Sequence, residues 1–440
     1  MSDKLIVDGF AGPGGWSEGL RMLGLSDIGL EWDEAACKTR KEAGHTTVRI
    51  DIATFVVARI IGKTWGLIMS PPCTKFSTAG NGVGRKFISV LADGIRRMMR
   101  GEDCRQELRD QIYPEALAIR EAANQARKPD KQWPQAKVEA AAMEDTIATV
   151  LVVEPARFLY ALICERPHDL GEPLEWVAFE QVPSVLPLWE VYAGELERLG
   201  WSVWTGKVNA ANHGVPQTRT RAVLIASCVR KMTGPTVTHS QTRQEADLFG
   251  DSLPVWVTMA EALGWGATDR PVPTVTAGGG KTGGAEPFPT RARQLLLDAQ
   301  ERGAWVLHTN RDQRPDGSRQ TADPAAAPAP SLTSKSGGQW VLKRPATTVC
   351  ATNRLSPPGH RDRNPGGESQ FASPDTVRIT VQEASILQSF PADYPWQGTK
   401  TKQFEQVGNA VPPLLAAHLV SAATGIPMPA ADPGGLEVAA

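Results

Sequence analysis

Three things are scarce in this sequence. No stretch comes near 18 uninterrupted apolar residues, roughly what a bilayer-spanning helix needs, so no membrane partner is expected. None of the six cysteines (37, 73, 104, 164, 228 and 350) has a neighbour at CxxC spacing, which argues against zinc sites and redox pairs. No metal is expected, and scattered single thiols suit a reducing compartment. Net charge is almost absent, with 47 basic against 48 acidic side chains. That excludes a protein that coats nucleic acid by bulk charge, but leaves room for a local basic patch. The first ten residues, MSDKLIVDGF, contain no h-region or cleavage site, so secretion is not expected.

What is present is ordinary globular material. The chain has 440 residues, 41% hydrophobic and 22% charged, enough for two or three domains with a sizeable core. Residues 4–83 alternate strand-like and helix-like segments: KLIVDGF, GWSEGLRMLG, DIGLEW, DEAACKTRKEAG, TTVRID and WGLIMS. Short connections between them predict a parallel sheet covered by helices. Residues 84–149 break this rhythm with a charge-rich helical composition, and read as an insertion. Alternation resumes over 150–227, with strands at EWVAFEQV, WSVWTGKVN and RAVLIAS and a helix at LPLWEVYAGELERLG. Residues 228–375 are rich in Gly, Pro, Thr and Ser and predict a small β-rich domain. A loose repeat there (RPVPTVTAGGG, PAPSLTSKSGG, RPATTVCATN) is accounted for by hairpin chemistry. A mostly helical piece, 376–425, follows, and 426–440 reads as a frayed tail.

The chemistry-bearing residues fall at strand ends. DGFAGPGGWSEG places Gly12, Gly14 and Gly15 between a strand and a helix, where backbone N–H groups can approach a ligand. That turn suits either a nicotinamide cofactor or an adenosyl group. Glu31 ends the next strand and can accept from ribose hydroxyls, while the adjoining Trp32 indole can lie on an adenine face. Asp51 ends the third strand and can accept from an adenine amino group. The fourth strand stops at Pro71-Pro72, which present Cys73 at the carboxyl edge of the sheet, where open α/β sheets bind ligands. A thiolate there is a strong carbon nucleophile. Glu180 ends a further strand and can face the same ligand. Gln217, Arg219 and Arg221 alternate along QTRTR, so in an extended segment they share one face and suit a phosphate or an anionic ring.

Taken in order, DGFAGPGG, PPCTKFS, FEQV, QTRTR, RITVQEASILQSFP and QVGNAVPP resemble the motifs of the DNA (cytosine-5) methyltransferase family, prokaryotic or phage type. The resemblance covers about 1–83, 150–227 and 376–425. It implies a Rossmann-like methyltransferase sheet with a smaller target-recognition domain over 228–375, and S-adenosyl-L-methionine as cofactor. The implied setting is the cytoplasm of a prokaryotic cell or phage-infected host. The residues implied to hold the cofactor are Phe10, Ala11, Gly12, Pro13, Gly15, Glu31, Trp32, Asp51, Ile52, Pro72, Asn409 and Ala410. The implied catalytic set is Cys73 for attack on cytosine C6, Glu180 at N3, and Arg219 and Arg221 at ring oxygen, phosphate or loop. Double-stranded DNA is the implied substrate, reached by base flipping, and the protein is expected to act as a monomer. Two positions depart from the family pattern: Thr74 stands where Gln is common, and Gln181 where Asn is common. They motivate one alternative, a catalytically silent DNA-binding protein; a second, a tRNA cytosine-5 methyltransferase, keeps the family and changes the polymer, although the long Gly/Pro segment favours duplex DNA. Cys73 and Glu180 lie 107 residues apart, more than the family resemblance leads us to expect, which also points to an insertion. Two stretches are candidates for DNA backbone contact. Residues 302–363 carry ten Lys/Arg against four Asp/Glu, and RKFISVLADGIRRMMR (85–100) carries five basic residues and one acid.

Overall fold

The computed structural model describes residues 4–72, 75–76, 82–166, 171, 173–242, 253–263, 305–313, 319–322, 327–330, 339–342, 376–378 and 380–429. Its first half alternates as the sequence predicts: β1 (Leu5–Gly9), α1 (Gly15–Met22), β2 (Ile28–Glu31), α2 (Glu34–Glu42), β3 (Thr46–Arg49) and β4 (Thr64–Met69). Five helices follow: α3 (Val83–Lys86), α4 (Ile88–Met98), α5 (Arg105–Gln125), α6 (Gln135–Val150) and α7 (Glu154–Leu159). Then come β5 (Trp176–Gln181), α8 (Leu186–Arg198), β6 (Ser202–Asn209), β7 (Gln217–Thr218) and β8 (Thr220–Ser227).

Seven of these strands form one sheet in the order β3-β2-β1-β4-β5-β8-β6. The first five are parallel, but β8 runs antiparallel to both β5 and β6. The parallel sheet expected from residues 4–83 is present, and nothing in the sequence signals the reversal at β8. Only ten residues link β6 to β8, with no crossover helix, and such a link suits an antiparallel neighbour. Period-two alternation splits the strand side chains between two cores. Val7, Leu67, Val177 and Leu224 face α4, α7 and α8, while Ile6, Ile68, Ala178 and Ile225 face Trp16 and Leu20 of α1. Each buried Leu or Ile contributes about 1.5–3 kcal/mol relative to exposure.

The helical run Gln135–Cys164 is long and apolar enough to cross a membrane by length and composition, although charged residues interrupt it before 18 apolar residues follow one another. Val138, Ala142, Phe158 and Leu159 of this run are buried in the protein, whereas Met143 and Ile147 are exposed.

A second, four-stranded sheet lies in the Gly/Pro-rich part, in the order β10-β9-β12-β13, with every pair antiparallel. Its strands are β9 (Trp305–Gln313), β10 (Arg319–Ala322), β12 (Gln339–Leu342) and β13 (Thr376–Arg378). Between them, β11 (Ala329–Pro330) pairs with β7, joining this part of the chain to the QTRTR segment. Thr376–Arg378, expected in the returning helical segment, belongs instead to this small sheet. The helical return begins after the Thr380 cap, which forms a capping box with Glu383. The remaining helices among the described residues are α9 (Met259–Leu263), α10 (Val381–Leu387), α11 (Lys400–Asn409) and α12 (Pro413–Thr424), and α12 packs along α1. Most of the loose repeat and most of the basic stretch 302–363 lie outside the described residues, as does the tail from 430.

Candidate active site

The sheet order sets the tips of β3, β2, β1, β4 and β5 side by side. Hydrogen bonds continue the register past the strands, from Ala11 N–H to Leu30 O (3.1 Å), Ile50 N–H to Glu31 O (2.8 Å) and Ser70 N–H to Gly9 O (3.3 Å). Four of the expected cofactor positions, Phe10, Glu31, Asp51 and Pro72, therefore share one edge with their neighbours in sequence.

The glycine turn is built for close packing. Gly14 adopts φ 107°, open to glycine but strained for other residues. A Cβ on Gly15 would stand 2.1 Å from the Val411 carbonyl oxygen, so this glycine lets the turn close on the QVGNAVPP segment. A Cβ on Gly12, in contrast, would meet nothing within 4 Å. Buried Pro13 accepts a hydrogen bond from the Tyr394 hydroxyl at 2.6 Å. Ala11 is buried, and Phe10 has a positive φ of 64°.

Glu31 ties the tips together. Its Oε2 accepts from Gly12 N–H at 2.7 Å, and its Oε1 accepts from the N–H groups of Trp32 (2.8 Å) and Asp33 (2.7 Å). Each carboxylate oxygen offers more than one acceptor site, so capacity remains for a ligand hydroxyl. Trp32 beside it is 73% exposed. Asp51 is exposed and accepts from Ala53 N–H at 3.0 Å as the cap of a short helical turn, with Ile52 buried beneath it. Asn409 is exposed and Ala410 buried. The accessible groups are thus two acceptor carboxylates and an indole on adjacent tips, with open space over Gly12. This set fits an adenosine-bearing cofactor.

At β4 the chain leaves the sheet as Ser70-Pro71-Pro72. Cys73 and Thr74 lie outside the described residues, but both flanks are described. On the near side, the Gln181 amide donates to the Pro71 carbonyl, while its Oε1 accepts from Val182 N–H. Gln181 therefore still reaches the Pro-Pro segment, although Asn is usual at this position. On the far side, Phe76 is fully buried and its carbonyl accepts from Ser184 Oγ at 2.7 Å.

Glu180 is 6% exposed and pairs with Arg221, Nε to Oε1 at 2.9 Å. Burial pushes its carboxyl pKa up, and the nearby Arg221 and Arg219 guanidinium groups pull it only part of the way back. Arg219 does not share an exposed face with Arg221. It is 2% exposed and donates to the carbonyls of Gly408 and Ala410, both at 3.0 Å. Of the roles left open for it, loop orientation is the one its hydrogen bonds serve. Gln217 is buried too, so QTRTR presents no phosphate-binding stripe.

The other described cysteines are poor nucleophile candidates. Desolvation raises the thiol pKa of Cys37 (to about 11), Cys104, Cys164 and Cys228. Cys37, Cys104 and Cys228 also donate to carbonyl oxygens, which favours the protonated form. In the basic stretch 85–100, Arg97 pairs with Glu102 and Glu107, and Lys86 with Glu115, while Arg85, Arg96 and Arg100 are exposed. Sequence reasoning missed two contributors, Tyr394 under the glycine turn and Arg40. The buried Arg40 binds Asp27 (2.8 Å), Ser17 (2.8 Å) and Thr47 (2.9 Å), holding α2 to the sheet.

The family model described as C-5 cytosine-specific DNA methylase matches residues 5–98 and 177–424, and the chain belongs to that family. It is a DNA cytosine-5 methyltransferase by that membership. Among its relatives, the type II methyltransferase M1.HphI of Haemophilus parahaemolyticus is 27% identical, over 94% of this chain and 85% of that protein. M.DdeI of Desulfomicrobium norvegicum is 23% identical, over 94% and 87% respectively. A crystallised DNMT2 mutant of Spodoptera frugiperda aligns over 96% of this chain and 99% of its own, at 13% identity and a TM-score of 0.48.

Proposed function

We propose that this protein transfers a methyl group from S-adenosyl-L-methionine to C5 of cytosine in double-stranded DNA, through a transient bond between Cys73 and C6. The observation that carries this reading is the buried Glu180–Arg221 pair, one strand away from the pinned Pro71-Pro72 segment. Cytosine C5 is a poor nucleophile because the ring is aromatic. Addition of the Cys73 thiolate to C6 forms an S–C bond, breaks the C5–C6 double bond and sends electron density towards N3 and C5. Glu180, kept protonated more readily by its burial, donates to N3 and offsets the charge there. Arg221 orients the Glu180 carboxyl through its Nε. Arg219 holds the backbone at Gly408 and Ala410, and thereby the Asn409-Ala410 wall of the cofactor site.

When bound, the cofactor would supply an electrophilic sulfonium methyl for C5, its sulfur leaving as a neutral thioether. Glu31 would take the ribose hydroxyls, Trp32 and Ile52 the adenine faces, and Asp51 its amino group. Phe10, Ala11, Gly12, Pro13 and Gly15 would form the turn beneath it, with Pro72 on the far side. Loss of the C5 proton to water then re-forms the C5–C6 double bond and expels the Cys73 thiolate, while N3 returns its proton to Glu180. The reacting carbon is inaccessible inside a duplex, so the base must be flipped out, at a cost of a few kcal/mol in unstacking.

In the same reading, 1–83 and 150–227 with 380–425 form the catalytic domain, and 228–378 the target-recognition domain. The protein acts as a monomer in a bacterial or phage-infected cytoplasm. Incubation with labelled S-adenosyl-L-methionine and either unmethylated duplex DNA or tRNA tests this. Label at cytosine C5 of DNA supports it. Label confined to tRNA, or none at all, overturns it.

A further inference from the structure

The two matched family segments leave 99–176 between them. Most of that stretch is a helical hairpin, with α5 packed along α6. Its turn is tightly built. The Asn124 side chain exchanges hydrogen bonds with the Trp133 backbone (Oδ1 accepting at 2.8 Å, Nδ2 donating at 3.0 Å), and Arg127 and Lys137 lie over the Trp133 ring. A hairpin closed this way is a rigid arm rather than a loose excursion.

One carboxylate on this arm reaches the Pro-Pro-Cys loop. Asp145 of α6 is buried and accepts from Arg120 of α5 through both oxygens (2.6 and 2.7 Å). It also accepts from Lys75, two residues past Cys73. Lys75 is largely buried itself, and its carbonyl accepts from Gly84 N–H at 3.1 Å. A second link, Lys86 to Glu115, is exposed and adds little. Buried, multiply bonded ion pairs fix geometry, and removing one partner leaves like charges facing each other. Without Asp145, the Lys75 ammonium and the Arg120 guanidinium would do so.

We propose that the inserted hairpin is a positioning arm for the catalytic loop, and that Asp145 and Lys75 are the positioning residues through which it sets the attack geometry of Cys73. This rests on the reading of Cys73 as the nucleophile. Together with the Gln181–Pro71 and Ser184–Phe76 bonds, the arm pins the loop on both sides of the cysteine. Small misplacements of a reacting group cost up to about 100-fold in rate.

The test uses the full chain and unmethylated genomic DNA, copied with 5-fluorocytosine to trap the covalent adduct. Adduct formation is followed under single-turnover conditions with excess enzyme. Asp145→Asn and Lys75→Met are each expected to slow it about tenfold or more. The double variant should be no slower than the worse single one within about twofold, because both act through one link. DNA and cofactor affinities should stay within about twofold, and Asp145→Glu should recover part of the rate. A merely structural role would lower stability and leave the rate per folded enzyme intact. Wild-type rates in the folded variants, or losses that multiply in the double variant, overturn the proposal. If Asp145→Asn does not fold, Lys75→Met, which keeps the Asp145–Arg120 pair, decides alone by the same criterion. Absence of adduct with the wild-type protein overturns the reading of Cys73 and this proposal with it. A wild-type adduct with unaffected variants overturns the positioning role only.

Discussion

Replacing Arg219 by methionine separates a structural arginine from a substrate-binding one. The wild-type guanidinium donates to two buried carbonyls, Gly408 and Ala410, each at 3.0 Å. Methionine fills a similar volume and offers no donor, so both carbonyls lose their partner at about 1–3 kcal/mol each. Relief of burying a charge offsets part of this. The net loss expected is about 2–4 kcal/mol, read as a lower urea midpoint at unchanged slope. Because Asn409 and Ala410 flank the freed backbone, affinity for S-adenosyl-L-methionine should fall in the same protein, measured by calorimetry without DNA. A variant within about 0.5 kcal/mol of wild type that binds cofactor normally and loses only DNA affinity would refute the reasoning and return Arg219 to a phosphate or base contact.

Other consequences follow from neighbouring contacts. Glu180 has a raised pKa, and the proposed mechanism uses it as an acid, so the single-turnover rate should decline as pH rises through that raised value. Glu180→Gln should lower the maximum and abolish that alkaline decline. Arg221→Met removes a group that pulls the Glu180 pKa down, so the decline should move to higher pH. Gln181→Ala breaks the bond to the Pro71 carbonyl, worth about 1 kcal/mol, and should slow transfer about fivefold with cofactor affinity unchanged. Gly15→Ala drives a Cβ onto the Val411 carbonyl and should destabilise by about 1–3 kcal/mol or more. Gly12→Ala meets open space and should cost only the left-handed backbone strain, about 1–2 kcal/mol. Thermal denaturation of the two glycine variants side by side checks the difference.

The strands and helices of the sheet were legible because period-two and helical spacing are local signals. KLIVDGF, DIGLEW, TTVRID, WGLIMS and EWVAFEQV all form strands, within a few residues of the expected bounds. Direction was not legible: nothing within RAVLIAS says that β8 runs against its neighbours, since that depends on the length of the link before it. The boundary at Thr376–Arg378 was misplaced because a short β-branched run next to a helix cap looks alike in either domain. Arg219 shows the limit for the site. Alternation in QTRTR correctly suggests an extended segment, but whether a face meets solvent or the Gly408–Ala410 backbone is fixed 189 residues away. Arg40 and Asp145 were equally silent, because each lies in an ordinary charged helix and gains its meaning from partners on other elements. What Gln181 does was open to either outcome in the sequence, and the structure finds it bound to Pro71.

The most direct test of the whole account is the fate of one sulfur. Purified wild-type protein is mixed with 5-fluorocytosine-containing duplex DNA and labelled S-adenosyl-L-methionine, and the products are digested and mapped by mass spectrometry. The account predicts a DNA-linked peptide carrying the label and attached through Cys73, absent in Cys73→Ser. A cross-link through another residue, or methyl transfer to ordinary cytosine that survives undiminished in Cys73→Ser, would contradict it.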